Sequence, residues 1–419
     1  MLFWKECKKT ICSLTFVLYA VVIFAMYVSQ FTPELKYPLR QPSPEDGDYG
    51  SIVKEVPEIL MPAAVESLIS EYLAGSYTTY PMLFYKEVRL KERDTAQIAG
   101  IIEELTDLTR SELDHFTKYE PGGYYGQTDE NGNPMVVYKE AVLPEYHLSD
   151  DISYAHFKEL MAQADAIIGK GSKYSEKYLV NNFSHVPLTY EEALAEYEEL
   201  MDEQNIASGY MRLYCDYLGI TLAIIPVFVC AGLWQMDKRS RMEQLIYSRK
   251  ISSAKLIVTR YLALVCCMAV PVALTFFHAM IGLHNLYPEK NICFGEAAGL
   301  VIMWLLPGIT IVVSAGAFLS ELLSPLLAIF VQGAWWYAAL MNELTGNITK
   351  YTLIIRHNSL GKASLFQEQF SNFIWNRTGY FILSLILVGL VIFVYEKTRK
   401  GNYNGKRNLW KNYMRKSKV

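Results

Sequence analysis

Six stretches of this chain are apolar over about the length a helix needs to cross some 30 Å of hydrocarbon. They are Thr10–Val28, Tyr210–Trp234, Ile257–Leu283, Ala297–Leu319, Leu322–Met341 and Gly379–Tyr395. No other feature constrains the fold as much. In hydrocarbon every backbone N–H and C=O must find its partner inside the protein, so such segments are helices packed on helices. Pro226, Pro271, Pro307 and Pro325 fall within four of them. Proline is tolerated there because neighbouring helices satisfy the carbonyl it frees, at the cost of a kink. The first stretch follows an amphipathic start in which Phe3 and Trp4 stand beside Lys5, Lys8 and Lys9. No small-x-small cleavage site precedes Phe31, so this stretch is expected to remain as an anchor rather than leave as a signal peptide.

Charge divides the chain in two. Residues 31–206 carry 33 Asp and Glu against 14 Lys and Arg, whereas the remainder carries 10 against 25. An acidic, polar block set into a basic, apolar remainder is the asymmetry of a membrane protein with one large domain outside the cell. That block holds none of the seven cysteines and cannot be stapled by its own disulfides, which suits a bacterial surface. The expected fold class is therefore a polytopic α-helical membrane protein with six transmembrane helices and a large α+β extracytoplasmic domain between the first and second. The expected divisions are an N-terminal elbow and first span over 1–30, the extracytoplasmic domain over 31–206, the membrane domain over 207–395, and a basic tail over 396–419. Residues 343–377 form an outer segment. Six spans put both basic ends in the cytoplasm, in agreement with the positive-inside bias.

Within 31–206, Pro33, Pro38, Pro42 and Pro44 make an extended linker. Apolar residues at helical spacing predict helices over Thr95–Leu108 and Tyr154–Ile168, the second capped by Ser153. Thr189–Glu192 reads as a capping box opening a third helix that runs to about Glu203. Met135–Leu143 lies between turn signals and suits a strand.

The loop Gln235–Leu256 separates two of the apolar stretches. Lys238, Arg239, Arg241, Arg249, Lys250 and Lys255 outnumber Asp237 and Glu243 there, which places it in the cytoplasm. Met242, Leu245 and Ile246 recur at helical spacing, and Ser252 or Ser253 suits the cap of the following span. The run Met242–Leu262, MEQLIYSRKISSAKLIVTRYL, resembles the loop after the second span of ABC type-2 permeases. The matching residues include Glu243, Leu245, Ser248, Arg249, Ile251, Ser252, Ser253, Lys255, Leu256, Arg260, Tyr261 and Leu262. Lys250 stands where that family usually has proline, and Ser240-Arg241 replaces a frequent Gly-Thr pair. The resemblance implies a coupling helix that docks on an ATPase subunit, with Met242, Glu243, Leu245, Ile246 and Arg249 as the docking residues. It also implies a second permease subunit, identical or a sister chain, in a bacterial plasma membrane.

No phosphate-binding loop is present: Gly169-Lys-Gly-Ser172 lacks the leading glycine and the strand–helix setting. ATP and its magnesium are therefore expected on the partner subunit, and this chain is not expected to be an enzyme. The seven histidines show no metal-ligand spacing, and Asp129–Pro134 lacks the full calcium-loop pattern. Glu103-Glu104 lies on a helix outside the membrane and does not make a protease pair. No nucleic-acid motif is expected. Ionisable or amide groups within spans face protein or a water-filled path, which singles out His278, Gln332 and Asn342 as candidates for a translocation path. Arg212, Asp216 and Glu296 lie near helix ends, where snorkelling accounts for them. The expected function is that of an exporter permease. A receptor that binds a ligand with its outside domain is the alternative, although no cytoplasmic segment is large enough for a signalling domain.

Overall fold

The computed structural model describes residues 2–80, 85–119, 123–128, 134–139, 143–149, 151–240, 243–248, 250–343, 351–357 and 359–400. Its contacts divide the chain into two units, Met1–Pro42 with Leu194–Val419, and Ser43–Ala193.

The first unit holds the apolar helices. It opens with α1 (Leu2–Ile11) and α2 (Leu14–Met26), the latter prolonged by a π turn and a 3-10 turn to Leu35. After the second unit come α9 (Glu203–Leu222), α10 (Pro226–Arg239), the short α11 (Glu243–Ser248), α12 (Ser253–Leu286), α13 (Phe294–Leu322), α14 (Pro325–Glu343) and α15 (Ala363–Arg399). Among the described residues, five stretches are long and apolar enough to cross a membrane: Leu14–Leu35, Ile206–Trp234, Ser253–Leu286, Phe294–Leu322 and Ala363–Arg399. The chain is mostly helical and has the character of a polytopic helical membrane protein. Of the six expected spans, the one over Leu322–Met341 corresponds to the apolar helix Pro325–Met341, which is shorter than the other five. The expected last span, from Gly379, is only the second part of α15, which begins sixteen residues earlier at Ala363.

Hydrogen bonds from tyrosines join these helices. Tyr19 on α2 donates to the Met268 carbonyl at 2.6 Å, in the turn of α12 just before Pro271. Tyr214 on α9 donates to the Val272 carbonyl at 2.8 Å, just after it. Each is a second bond to a carbonyl of a continuous helix, and the two fasten α2 and α9 to the turns on either side of Pro271. The start of α1 is held by Glu6, whose carboxylate lies 3.5 Å from Arg260 on α12, both largely buried.

The second unit is built from α3 (Pro57–Ala74), α4 (Glu92–Leu105), α5 (Arg110–Tyr119), α6 (Tyr154–Ile168) and α7 (Glu176–Phe183). Between units in sequence runs α8 (Tyr190–Met201). Strands occur as three separate antiparallel pairs: β1 (Ser51–Val53) with β6 (His185–Pro187), β2 (Tyr77–Thr79) with β3 (Lys86–Val88), and β4 (Gly123–Thr128) with β5 (Pro134–Lys139). The core is helical. Leu60, Val65 and Leu68 of α3 meet Ile98 and Ile102 of α4 and Phe157 and Met161 of α6. The sequence gives little sign of α3, because Pro62 interrupts it and apolar residues also stand on its less buried side, among Glu58, Glu66 and Ser70, which blurs the period. It ends on Gly75 at φ 64°, a left-handed conformation that lets the Gly75 and Ser76 N–H groups close the last turn on Tyr72 and Glu71.

Two caps expected from sequence are present. Ser153 Oγ accepts from the His156 N–H at 3.2 Å. Thr189 and Glu192 exchange both bonds of a capping box, at 3.0 and 3.3 Å.

Residues 43–193 expressed alone are expected to unfold in one cooperative transition. Leu68→Ala should lower their stability by about 2–5 kcal/mol, because Leu68 is fully buried. Urea denaturation followed by circular dichroism measures this.

A second expectation concerns pH. His156 Nε2 lies 2.6 Å from Glu104 and Nδ1 lies 3.5 Å from Glu159, and these bonds hold its pKa above the usual 6.5. A pKa raised by folding gives stability that is complete below the unfolded value and lost as pH rises through the folded one. The melting temperature of this unit should therefore fall slightly as pH rises from 6.5 upward, and His156→Gln should flatten the slope.

Candidate functional site

The helix α11 is tied down at one end of the bundle. Arg399, at the end of α15, donates from Nε to the Tyr247 carbonyl at 3.0 Å and from Nη1 to the Ile251 carbonyl at 2.6 Å. Tyr247 packs edge-on against Tyr395, with ring centroids 5.6 Å apart. One guanidinium thus satisfies a carbonyl that the end of α11 leaves open and also holds the residue before the cap of α12. Ser252 then caps α12 by accepting from the Lys255 N–H at 3.2 Å. Among the expected docking residues, Leu245 is 51% exposed, while Ile246 turns inward onto the core. Met242 and Arg249 lie outside the described residues, as does the side chain of Glu243.

The path candidates are brought to different places. His278 sits on the exposed side of α12, where Nδ1 is 2.7 Å from the Tyr27 hydroxyl and the rings meet edge-on. It joins the apolar stretch Leu14–Leu35 to α12. Gln332 is buried and donates from Nε2 to the Ala223 carbonyl at 2.8 Å, while its Oε1 has no partner among the described residues. Asn342 falls in α14, and its side chain lies outside the described residues.

The position of Gln332 has a clear cause. Pro226 separates α9 from α10, and in the break the Ile224 N–H turns to Thr221 and the Val227 N–H to Ile224. The carbonyls of Ile220 and Ala223 thereby lose their usual helical donors. Two side chains of α14 supply them: Trp336 Nε1 reaches Ile220 at 2.9 Å, and Gln332 reaches Ala223. These residues splice a broken helix.

The larger polar assembly lies elsewhere. Residues Tyr351–His357 are non-helical, yet Leu353, Ile354 and Ile355 are fully buried. Side chains from two apolar helices hold this strap. Asn376 Nδ2 donates to the Thr352 carbonyl at 2.8 Å, Arg377 Nη1 to Leu353 at 3.3 Å, and the Tyr380 hydroxyl to Tyr351 at 2.7 Å. From α9, both oxygens of Asp216 accept from the His357 N–H at 2.9 and 3.0 Å. Arg212 Nη2 reaches the carbonyls of Leu360 and Gly361 at 3.0 and 3.3 Å, with its guanidinium over the Phe366 ring. Close approach is possible because residue 209 is glycine: a Cβ there would stand 2.7 Å from the Leu360 carbonyl oxygen. Burial pushes the pKa of His357 down, and the ring accepts its place against the Gly361 carbonyl at 3.1 Å.

This corrects the expectation that Arg212 and Asp216 snorkel to solvent. Both are buried and spent on backbone. The signal was present in the sequence, since charged residues inside an apolar stretch are costly and retained for a purpose. Their partner segment has no periodic pattern that would reveal it.

Trp336→Phe keeps the ring and removes the indole N–H, leaving the Ile220 carbonyl without a donor. It should cost about 1–3 kcal/mol. Thermal unfolding of the detergent-solubilised protein, compared with wild type, measures the loss.

Comparison with models of known families, with curated proteins and with solved structures finds no match to this chain.

Proposed function

We propose that this chain is the membrane-spanning permease subunit of an ATP-driven ABC exporter. It would work with a separate ATPase subunit that carries the nucleotide, and with a second permease, identical or a sister chain. The observation that carries this reading is a short helix in a basic loop between two apolar helices, presenting Leu245 outward while Arg399 fixes its far end to the last helix. The resemblance of Met242–Leu262 to the coupling loop of ABC type-2 permeases supports it.

In this reading α14 supplies the sixth span, both termini and α11 are cytoplasmic, and Ser43–Ala193 lies outside the cell. Closure of the ATPases on ATP displaces α11. Because α11 leads to α12 and is clamped to α15, the displacement passes to both spans.

Two measurements test the reading. Single cysteines replace Lys177 and Ser240, both exposed, in a cysteine-free background, and an impermeant thiol reagent is added to intact cells. Labelling at position 177 alone is expected; labelling at position 240 alone sinks the assignment of sides. For coupling, Leu245→Glu should weaken binding of the co-purifying ATPase by about tenfold or more while membrane insertion persists. Unchanged ATPase binding and unchanged stimulation of hydrolysis would remove α11 as the docking element.

A further inference from the structure

Between α14 and α15 lies a cavity of about 580 Å³, bordered by Trp335, Tyr351, Trp375, Asn376, Gly379 and Tyr380. That volume is within the 300–1,000 Å³ typical of small-molecule sites. We propose that it binds an uncharged, lipid-soluble small molecule carrying a flat ring system.

The walls are already fixed. The Tyr380 hydroxyl is committed to the Tyr351 carbonyl and Asn376 Nδ2 to the Thr352 carbonyl, so the strap forms one side of the cavity. Trp335 leans on Tyr380, with ring centroids 5.9 Å apart at 45°. These bonds consume polar groups of the lining and leave ring faces to meet a ligand. Aromatic rings favour offset or edge-to-face neighbours at 4.5–7 Å, which selects a planar group over a branched chain.

The chemistry also excludes charge. Among the described residues, the two phenols are the only ionisable side chains that border the cavity. A charged ligand entering it would lose water and gain no counter-charge, at a cost of several kcal/mol or more. Entry is from the lipid-facing side: Leu383, which also borders the cavity, and Trp375 are exposed on a helix of spanning length. Tyr351 and Trp375 face outward, as rings of an interface belt do, whereas Tyr380 is 8% exposed and turned in to form the floor of the cavity.

Gly379 provides a clean probe. A Cβ at that position meets nothing within 4 Å, so a larger side chain grows into the open space rather than into neighbouring atoms. The full-length protein in nanodiscs is titrated with N-phenyl-1-naphthylamine, an uncharged two-ring probe, and energy transfer from tryptophan is followed. The expected result is a saturable component above lipid partitioning that weakens about tenfold or more in Gly379→Leu. Trp375→Leu, which changes an exposed ring and leaves the buried packing alone, should weaken it similarly. The anionic analogue 8-anilinonaphthalene-1-sulfonate should show no saturable component. A wild-type protein without one, or a Gly379→Leu variant that binds as wild type while circular dichroism shows intact helix, overturns the site. Equal saturable binding of the anionic analogue overturns the ligand class. None of these outcomes depends on the exporter reading, because no ATPase is present.

Discussion

The demand that dominates this structure is that buried backbone carbonyls and N–H groups be partnered where water does not reach. A continuous helix meets the demand by itself. Two segments here do not, the break between α9 and α10 and the strap Tyr351–His357, and both are met by side chains reaching across from other helices. Loss of one such donor leaves a carbonyl whose desolvation is uncompensated. The arrangement of α9, α14 and α15 therefore depends on a handful of amides, phenols, an indole and guanidinium groups more than on apolar contact, which any helix can make with lipid as well as with protein.

Arginine recurs in this work for a physical reason. Its planar fork of donors reaches two carbonyls at once and stays ionised even when buried. Arg212 spans Leu360 and Gly361, and Arg399 spans Tyr247 and Ile251. In both cases a charge serves as a backbone clamp between a helix and a connecting segment. Asp216 is the acidic counterpart, with both oxygens on one N–H.

Much of the helical plan was legible in the sequence, because hydrocarbon imposes a length and an apolar composition that side chains cannot hide. Local capping was legible as well: Ser153, Thr189, Glu192 and Ser252 do what their spacing announces. The rest was obscured for identifiable reasons. Helix α3 is interrupted by Pro62 and carries apolar residues beyond its buried face, so its period is blurred. The roles of Gln332 and Trp336 depend on a break more than a hundred residues away, and those of Arg212 and Asp216 on a strap about 140 residues on. The pairing of His278 with Tyr27, on the exposed side of α12, likewise spans some 250 residues of sequence and leaves no local trace.

The length of α15 carries a consequence of its own. Its 37 residues make a rod about 56 Å long, against some 30 Å of hydrocarbon. Roughly a third of the way along, Asn376, Arg377 and Tyr380 engage the strap, and Arg399 grips the turns around α11 about 33 Å further on. Those two attachments are separated by nearly the thickness of the lipid they straddle. A thinner or thicker bilayer cannot be accommodated by sliding this rod without straining one attachment, so the helix must tilt or the lipid around it must deform, at a fraction of a kcal/mol per ångström of mismatch. The acyl-chain length of a surrounding bilayer would thereby bear on both attachments of one helix at once.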